Sequence, residues 1–130
     1  FDVLSTGVRY LLLRQKPTTE WPFAPVIGTV RPDEHMQDAV IRGVLEETGV
    51  QRPVHMMDLA APQKDLFGDV GLVSWPFAYQ AGGPSSPAVE IHPGPTVGEF
   101  TWVNFADAFE LIDGDRDREA LVRLQLNLES

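Results

Sequence analysis

The chain has 130 residues, with 19 acidic and 10 basic side chains and a formal net charge of −9. This length suits one domain, and since the chain has no cysteine, disulfide scaffolds and thiolate zinc sites are excluded. The acidic balance and the lack of a Lys/Arg cluster argue against extended DNA or RNA as a partner. No apolar run approaches the roughly 20 residues of a membrane span, and we expect neither anchor nor signal peptide, hence a cytoplasmic protein.

The first 30 residues predict two strands and a loop. Apolar runs at 2–5 and 10–15 flank Thr6-Gly7, which favours two strands around a tight turn or bulge. The segment 17–25, PTTEWPFAP, holds three prolines and predicts a loop, because proline has no amide hydrogen for a helix or a central strand. A short strand is predicted at 26–30, around Gly28.

A helix is predicted to begin at Gln37 or Asp38 and to end near Thr48, with Gly49 as a left-handed C-terminal cap. At 100° per residue, Gly43, Glu46 and Glu47 share an arc of about 100° interleaved with the apolar stripe that faces the core. Two carboxylates beside an apolar stripe are costly unless a cation meets them. The two carboxylates therefore need a cationic partner at this helix.

The rest of the chain alternates predicted strands with loops and ends in two helices. We predict, in order, a strand at 54–59, a loop at 61–69, a strand at 72–80, a mobile connection at 81–98, a strand at 99–103, and helices at 105–112 and 115–128. Pro76 marks an edge or bulge in its strand, Asn104 caps the first helix and Gly114 separates the two. Strands mixed with helices in this way predict the α/β class.

The stretch from Gly28 to Val50 reads GTVRPDEHMQDAVIRGVLEETGV. It resembles the Nudix box, the signature of Nudix hydrolases, G-x5-E-x7-R-E-U-x-E-E-x-G-U, in which U is a bulky aliphatic residue. Every fixed position matches except Gly43, which stands where the family carries the first Glu of the R-E-U-x-E-E run. The flanks, WPFAPVIG and EFTWVNFADAFELI, resemble small Nudix pyrophosphohydrolases that act on nucleoside or pterin triphosphates. The resemblance implies a single Nudix domain over 1–130, a mixed β-sheet sandwiched between α-helices.

The resemblance also implies metal-dependent cleavage of a small nucleotide-like substrate, with Mg²⁺ or Mn²⁺ as cofactor. It implies metal ligands Glu34, Glu46 and Glu47, catalytic residues Arg42, Glu46, Glu47 and Glu99, and a substrate-binding Arg14. Trp21 and Phe23 are further substrate-binding candidates, because aromatic residues in the proline-rich loop could line a base or ring pocket. Arg42 would orient a carboxylate through its two-pronged guanidinium. Four of these residues have a plainer interpretation as well: Arg14 as a solvated strand end, Arg42 as a surface ion pair, and Trp21 and Phe23 as the edge of a core.

Gly43 cannot bind a metal or accept a proton, which leaves several hypotheses. Another carboxylate could replace the missing one, with Glu99, Glu90 and Asp33 as candidates, or the enzyme could have reduced activity. Alternatively, the chain could bind nucleotides as a sensor, or be an interaction module that binds no metal. His92 could serve as a base or be a solvated bystander. We favour a hydrolase, because Glu34, Arg42, Glu46 and Glu47 are all retained. The exact substrate and the oligomeric state are not predicted.

Overall fold

A computed structural model describes residues 1–60, 62–67 and 70–129. The elements are, in chain order, β1 (Asp2–Leu4), β2 (Gly7–Gln15), α1 (Met36–Thr48), β3 (His55–Asp58), β4 (Gln63–Phe67), β5 (Val70–Ser74), β6 (Phe77–Gln80), β7 (Val97–Val103), α2 (Phe105–Leu111) and α3 (Asp115–Glu129). Across these described ranges, no helix combines the length and the apolar character that a membrane crossing requires.

Strand β2 is the centre of the sheet. It pairs antiparallel with β1 through the two-residue turn Ser5-Thr6, and antiparallel with β7 along its other edge. Strands β3 and β6 form a second antiparallel pair. A parallel bridge from Asp2 to Gly82, in which the Val3 amide donates to the Gly82 carbonyl at 3.1 Å, joins the two groups. Antiparallel and parallel pairing together give the predicted mixed sheet and confirm the α/β class.

The core lies on both faces of β2. Leu12 and Leu13 are each only 2 % exposed, and since successive strand residues point to opposite faces, both faces are covered. Leu12 belongs to a cluster with residues of α2 and α3, including Ala108 and Leu121. The hydroxyl of Tyr10 on the same face donates to Gln125 of α3. Buried residues of α1, such as Ala39 and Val44, supply a further part of the core.

The helix ends follow the sequence closely. Helix α1 begins at Met36, and Gly49 has a φ of 76° and donates its amide to the Leu45 carbonyl, so the left-handed cap is confirmed. The side chain of Asn104 accepts a hydrogen bond from the Asp107 amide at 2.9 Å and caps α2 as predicted. Helix α1 thus ends, and helix α2 begins, at a residue whose chemistry favours that position.

Three predicted segments are wrong. No strand forms at 26–30, because this loop is held by a side chain: Arg42 Nη2 donates to the Thr29 carbonyl at 2.7 Å. The strand at 72–80 is two strands, β5 and β6, which pair with different partners on either side of Trp75-Pro76. The loop predicted at 61–69 contains β4, which forms a hairpin with β5; Ala61, Gly68 and Asp69 lie outside the described residues. Strand β7 also begins at Val97, two residues early.

Candidate active site

Arg42 and Glu34 form a bidentate ion pair between α1 and the loop that precedes it. Arg42 Nε lies 2.9 Å from Glu34 Oε2 and Nη2 lies 3.0 Å from Oε1. The Arg31 amide also donates to Glu34 at 3.0 Å. The hydrogen bonds from Arg42, which have the larger effect, and the one from the Arg31 amide lower the pKa of Glu34 to about 2. Glu34 in turn raises the pKa of Arg42. Glu34 is therefore ionised at neutral pH and engaged with Arg42, and its predicted role toward a metal stays a prediction.

Glu46 is held more loosely. Its side chain is 52 % exposed, and Arg42 Nη1 lies 3.4 Å from both of its oxygens. Arg31 Nη2 lies 3.6 Å from Oε1. These separations exceed those of a well-formed N–H···O hydrogen bond, so the Glu46 carboxylate can turn toward another cation at little cost. Arg31 is not predicted from the sequence, because it occupies a position that the box leaves variable.

Glu47 carries the clearest signal of a cation site. Its Oε2 atom is buried and has no hydrogen-bond partner among the described residues. Buried carboxylate oxygens are normally paired, since an unpaired one is costly. Glu47 also lies in the last turn of α1, where the negative end of the helix dipole favours a cation. Hard oxygen donors of this kind suit Mg²⁺ or Mn²⁺, so the side chains present here fit the implied metal.

The carboxylates do not form a complete protein cage. Within the described ranges, no group of three or more His, Asp or Glu side chains is close enough together to hold a metal ion. Mg²⁺ commonly takes one or two protein carboxylates and fills its other positions with water and phosphate oxygens. Glu46 and Glu47 can supply that smaller set. A Cβ built at Gly43 would meet no atom within 4 Å, so the position that lacks the family carboxylate is sterically open.

Arg14, Glu99 and Phe23 form a second cluster at the end of β2. Arg14 is opposite Glu99 in the β2–β7 register, and its Nη1 lies 2.9 Å from Glu99 Oε1. Its guanidinium carbon lies 4.1 Å from the centroid of the Phe23 ring. The Nε atom of Arg14 is buried without a partner in the described part of the chain. The fold thus brings together three of the residues that the sequence singled out, while Trp21, in the same loop as Phe23, is 53 % exposed.

The remaining candidates are Glu90, His92 and Asp33. Glu90 and His92 are exposed and face each other at 3.7 Å, and Asp33 lies in a turn with a φ of 64°. In the part of the chain that the structure describes, none of them completes a metal-binding group with Glu46 and Glu47. The backbone near His92 does reach the helix: the His92 amide donates to the Thr48 carbonyl at 2.8 Å and the Gly94 amide to that of Glu47 at 3.1 Å. Neither contact is predicted from the sequence.

Comparison with solved structures finds the same fold in proteins of low sequence identity. A Listeria monocytogenes protein described as a NUDIX hydrolase matches with a TM-score of 0.79 at 19 % identity, covering 99 % of this chain and 89 % of the other. A C. elegans Ap4A hydrolase matches at 0.77 and 16 %, covering 98 % and 91 %. The E. coli dihydroneopterin triphosphate pyrophosphohydrolase matches at 0.69 and 16 %, covering 97 % and 91 %. These likenesses establish the fold.

The amino-acid sequence was also compared with curated proteins and with protein-family models. No curated protein sequence matches the chain. The family model for the NUDIX domain, however, matches residues 2–125. That range includes the Arg42–Glu34 pair, the two carboxylates of α1 and the Arg14–Glu99 cluster. The chain therefore belongs to the NUDIX family of phosphoanhydride hydrolases.

Proposed function

We propose that the protein is a metal-dependent pyrophosphohydrolase that cleaves a phosphoanhydride bond in a small nucleoside or pterin polyphosphate. Glu46 and Glu47 would hold Mg²⁺ or Mn²⁺. The buried, unpartnered Oε2 of Glu47 carries the proposal. When bound, the metal ion supplies charge neutralisation for the phosphate oxygens.

Arg42 and Glu34 fix the frame around these carboxylates. Because Glu34 engages the Nε and Nη2 atoms of Arg42, the Nη1 atom is left facing Glu46. This arrangement keeps Glu46 at the metal side of α1 without a tight hydrogen bond. The role of Arg42 is then to orient a carboxylate, and Glu34 supports the site through Arg42.

Arg14 is the proposed phosphate-binding residue. Its guanidinium stacks on Phe23 and retains a buried Nε donor without a partner among the described residues. A planar guanidinium with a free donor suits a phosphate oxygen. Trp21 and Phe23 would contact the base or ring of the substrate, since they lie in the same loop and Trp21 is more than half exposed.

Glu99 is the proposed general base, because its carboxylate lies beside the phosphate-binding Arg14. In the reaction, a water oxygen attacks phosphorus, the bridging P–O bond breaks, and the proton of the water passes to the carboxylate. The products are two phosphate-terminated fragments. The names of the solved proteins that share the fold, an Ap4A hydrolase and a dihydroneopterin triphosphate pyrophosphohydrolase, support a polyphosphate substrate.

A substrate panel tests the proposal. The protein is incubated with nucleoside triphosphates, dinucleoside polyphosphates, ADP-ribose and dihydroneopterin triphosphate, with Mg²⁺ or Mn²⁺, and released phosphate and pyrophosphate are measured. We expect hydrolysis of at least one compound, its loss in Glu47→Gln, and its retention in Glu110→Gln, which removes an exposed carboxylate from α2. Tight metal-dependent nucleotide binding without hydrolysis would instead identify a binding protein, and absence of metal binding an interaction module.

A further inference from the structure

The C-terminal end of α1 has an unusual charge distribution. Its last turn contains Glu46 and Glu47 and no basic residue. Carboxylates are disfavoured at this end of a helix because the helix dipole is negative there. The last carbonyl groups of a helix also lack partners within the helix. Something outside α1 must therefore satisfy this end and hold it in place.

The segment 92–94, distant in sequence, supplies those partners. The Gly49 amide bonds to the Leu45 carbonyl at 2.9 Å, as an ordinary cap. The next two contacts come from the distant segment: His92 donates to the carbonyl of Thr48 at 2.8 Å and Gly94 to that of Glu47 at 3.1 Å. The backbone of Glu47, whose side chain is the proposed metal ligand, is thus hydrogen-bonded directly to Gly94.

The sequence of this segment, His92-Pro93-Gly94-Pro95, matches that task. Proline has no amide hydrogen and a fixed φ, so the four residues offer two amide donors, and both are used on α1. The approach is also very close. A Cβ at Gly94 would lie 2.2 Å from the Glu46 carbonyl oxygen and 3.4 Å from the Glu47 Cα. Only glycine fits at this position without moving the backbone of both carboxylate residues.

The same segment continues to the second cluster. The Val97 amide donates to the Gly94 carbonyl at 3.1 Å, and the Lys16 amide donates to the Thr96 carbonyl at 2.8 Å. A Cβ at Gly98 would lie 2.5 Å from Thr18 Cγ2 and 3.4 Å from the Arg14 carbonyl oxygen. Residues 92–98 therefore join the last turn of α1 to the end of β2, and they lead directly into Glu99.

We infer that residues 92–98 are a positioning segment, with Gly94 as its central positioning residue, that sets the place of Glu46 and Glu47 relative to Arg14 and Glu99. The inference rests on the proposed function, because the proposed function assigns these four side chains to one reaction. Gly94 acts through the Glu46–Glu47 backbone and contacts no reacting atom. Its substitution should change metal affinity because it displaces two metal ligands together.

The first test measures Mn²⁺ affinity by calorimetry in the wild type, Gly94→Ala and the control Gly114→Ala. In the control, the new Cβ would approach no atom more closely than 3.7 Å. We expect Gly94→Ala to lose at least about tenfold in Mn²⁺ affinity, as changes in the residues that support metal ligands do, and Gly114→Ala to keep the wild-type value. A folded Gly94→Ala protein with wild-type Mn²⁺ affinity would overturn the inference.

A second variant keeps the test decisive if Gly94→Ala does not fold. Replacing Pro93 and Pro95 together with alanine introduces no clash at Gly94 but frees the backbone of the segment. We expect faster hydrogen exchange of the His92 and Gly94 amides and weaker Mn²⁺ binding. Faster exchange with unchanged Mn²⁺ affinity would show that the segment does not position the carboxylates.

Metal-free NMR separates this inference from the proposed function. The side-chain carboxyl resonances of Glu46 and Glu47 should shift in the double proline variant, while that of Glu110 on α2 should not. If they shift but the wild type binds no Mn²⁺, the proposed function fails and the positioning role stands. If they do not shift, the positioning role fails whatever the wild type binds.

Discussion

The ionisation of Glu34 is strongly coupled to its surroundings. Two hydrogen bonds from Arg42 and one from the Arg31 amide hold its carboxylate. These contacts require the charged form, and they lower its pKa to about 2 from an ordinary value of 4.5. The consequence is a pH-dependent contribution to stability, since a group favours the folded state when that state favours its charged form.

We expect Glu34→Gln to be less stable than the wild type at neutral pH and equal to it in strong acid. Because the folded pKa is lowered, the stabilisation is complete above about pH 4.5 and is lost as the pH falls through about 2. Urea unfolding of both proteins between pH 2 and 7 measures the difference. A gap between the two proteins that stays constant down to pH 2 would contradict this assignment.

Substitutions at Gly43 can distinguish an effect on helix stability from an effect on metal binding. Since a Cβ there would meet no atom within 4 Å, we expect Gly43→Ala to stabilise the protein by about 1 kcal/mol through helix propensity alone. Gly43→Glu should gain less without metal, because it adds a charge three and four residues before Glu46 and Glu47. It should, however, bind Mn²⁺ more tightly and hydrolyse faster than Gly43→Ala. Equal Mn²⁺ affinity in the two variants would argue against a metal site on this face.

Glu99 has two possible tasks that kinetics can distinguish. If it is the base, Glu99→Gln should reduce kcat by about 10²-fold or more; if it only holds Arg14, the main change should be a higher KM. We expect the loss in kcat. Steady-state kinetics of Glu99→Gln, with Glu110→Gln as the control, distinguishes the two tasks. An increase in KM with unchanged kcat would assign Glu99 to the positioning of Arg14.

The sequence points to candidate site residues at fixed motif positions and also outside them, as with Arg14, Phe23 and Glu99. Arg42, Glu46 and Glu47 occupy fixed motif positions, and the structure places them on one helix. Two ion pairs of the site, Arg42–Glu34 and Arg14–Glu99, depend on how a loop contacts α1 and on how two strands pair. Pairings of that kind are set by three-dimensional packing, which spacing along the chain does not specify.

Helix α1 is the element that the sequence specifies most completely. Its apolar spacing gives the helix, and Gly49 gives its end, because glycine reaches the left-handed conformation without a Cβ penalty. The strands are specified less well. Strand β4 is not predicted because it begins with polar residues. The break at Trp75-Pro76 is not predicted because the residues 72–80 form one largely apolar run. Strand pairing depends on partners elsewhere in the chain, whereas a helix and its cap are local.

At the level of this element, we expect Gly49→Ala to destabilise the protein by about 1–2 kcal/mol or more. The φ of 76° is strained for alanine, and the new Cβ would lie 2.8 Å from the His92 Cβ. Chemical denaturation measures the loss, and Gly114→Ala, which has neither problem, serves as the control. A neutral Gly49→Ala would mean that the helix end and the positioning segment can move apart freely.

For the molecule as a whole, the pattern of elements predicts the α/β class, and the resemblance of the box and its flanks to the Nudix family implies the mixed sheet sandwiched between helices. The sequence does not predict that residues 92–98 join the two halves of the site. Their Gly/Pro-rich composition suggested a mobile connection. The two residues between and beside the prolines, His92 and Gly94, instead donate their amides to α1. Long-range backbone contacts of this kind leave no periodic pattern in the sequence from which they could be predicted.

Glu47 and a divalent metal ion are proposed to act together in phosphoanhydride cleavage. Phosphorus NMR of a polyphosphate substrate tests this, with wild type and Glu47→Gln each followed first in EDTA and then after addition of Mg²⁺. We predict that cleavage begins in the wild type only when Mg²⁺ is added and stays absent or severely reduced in Glu47→Gln. Cleavage in EDTA at the same rate, or an undiminished rate in Glu47→Gln, would contradict the claim.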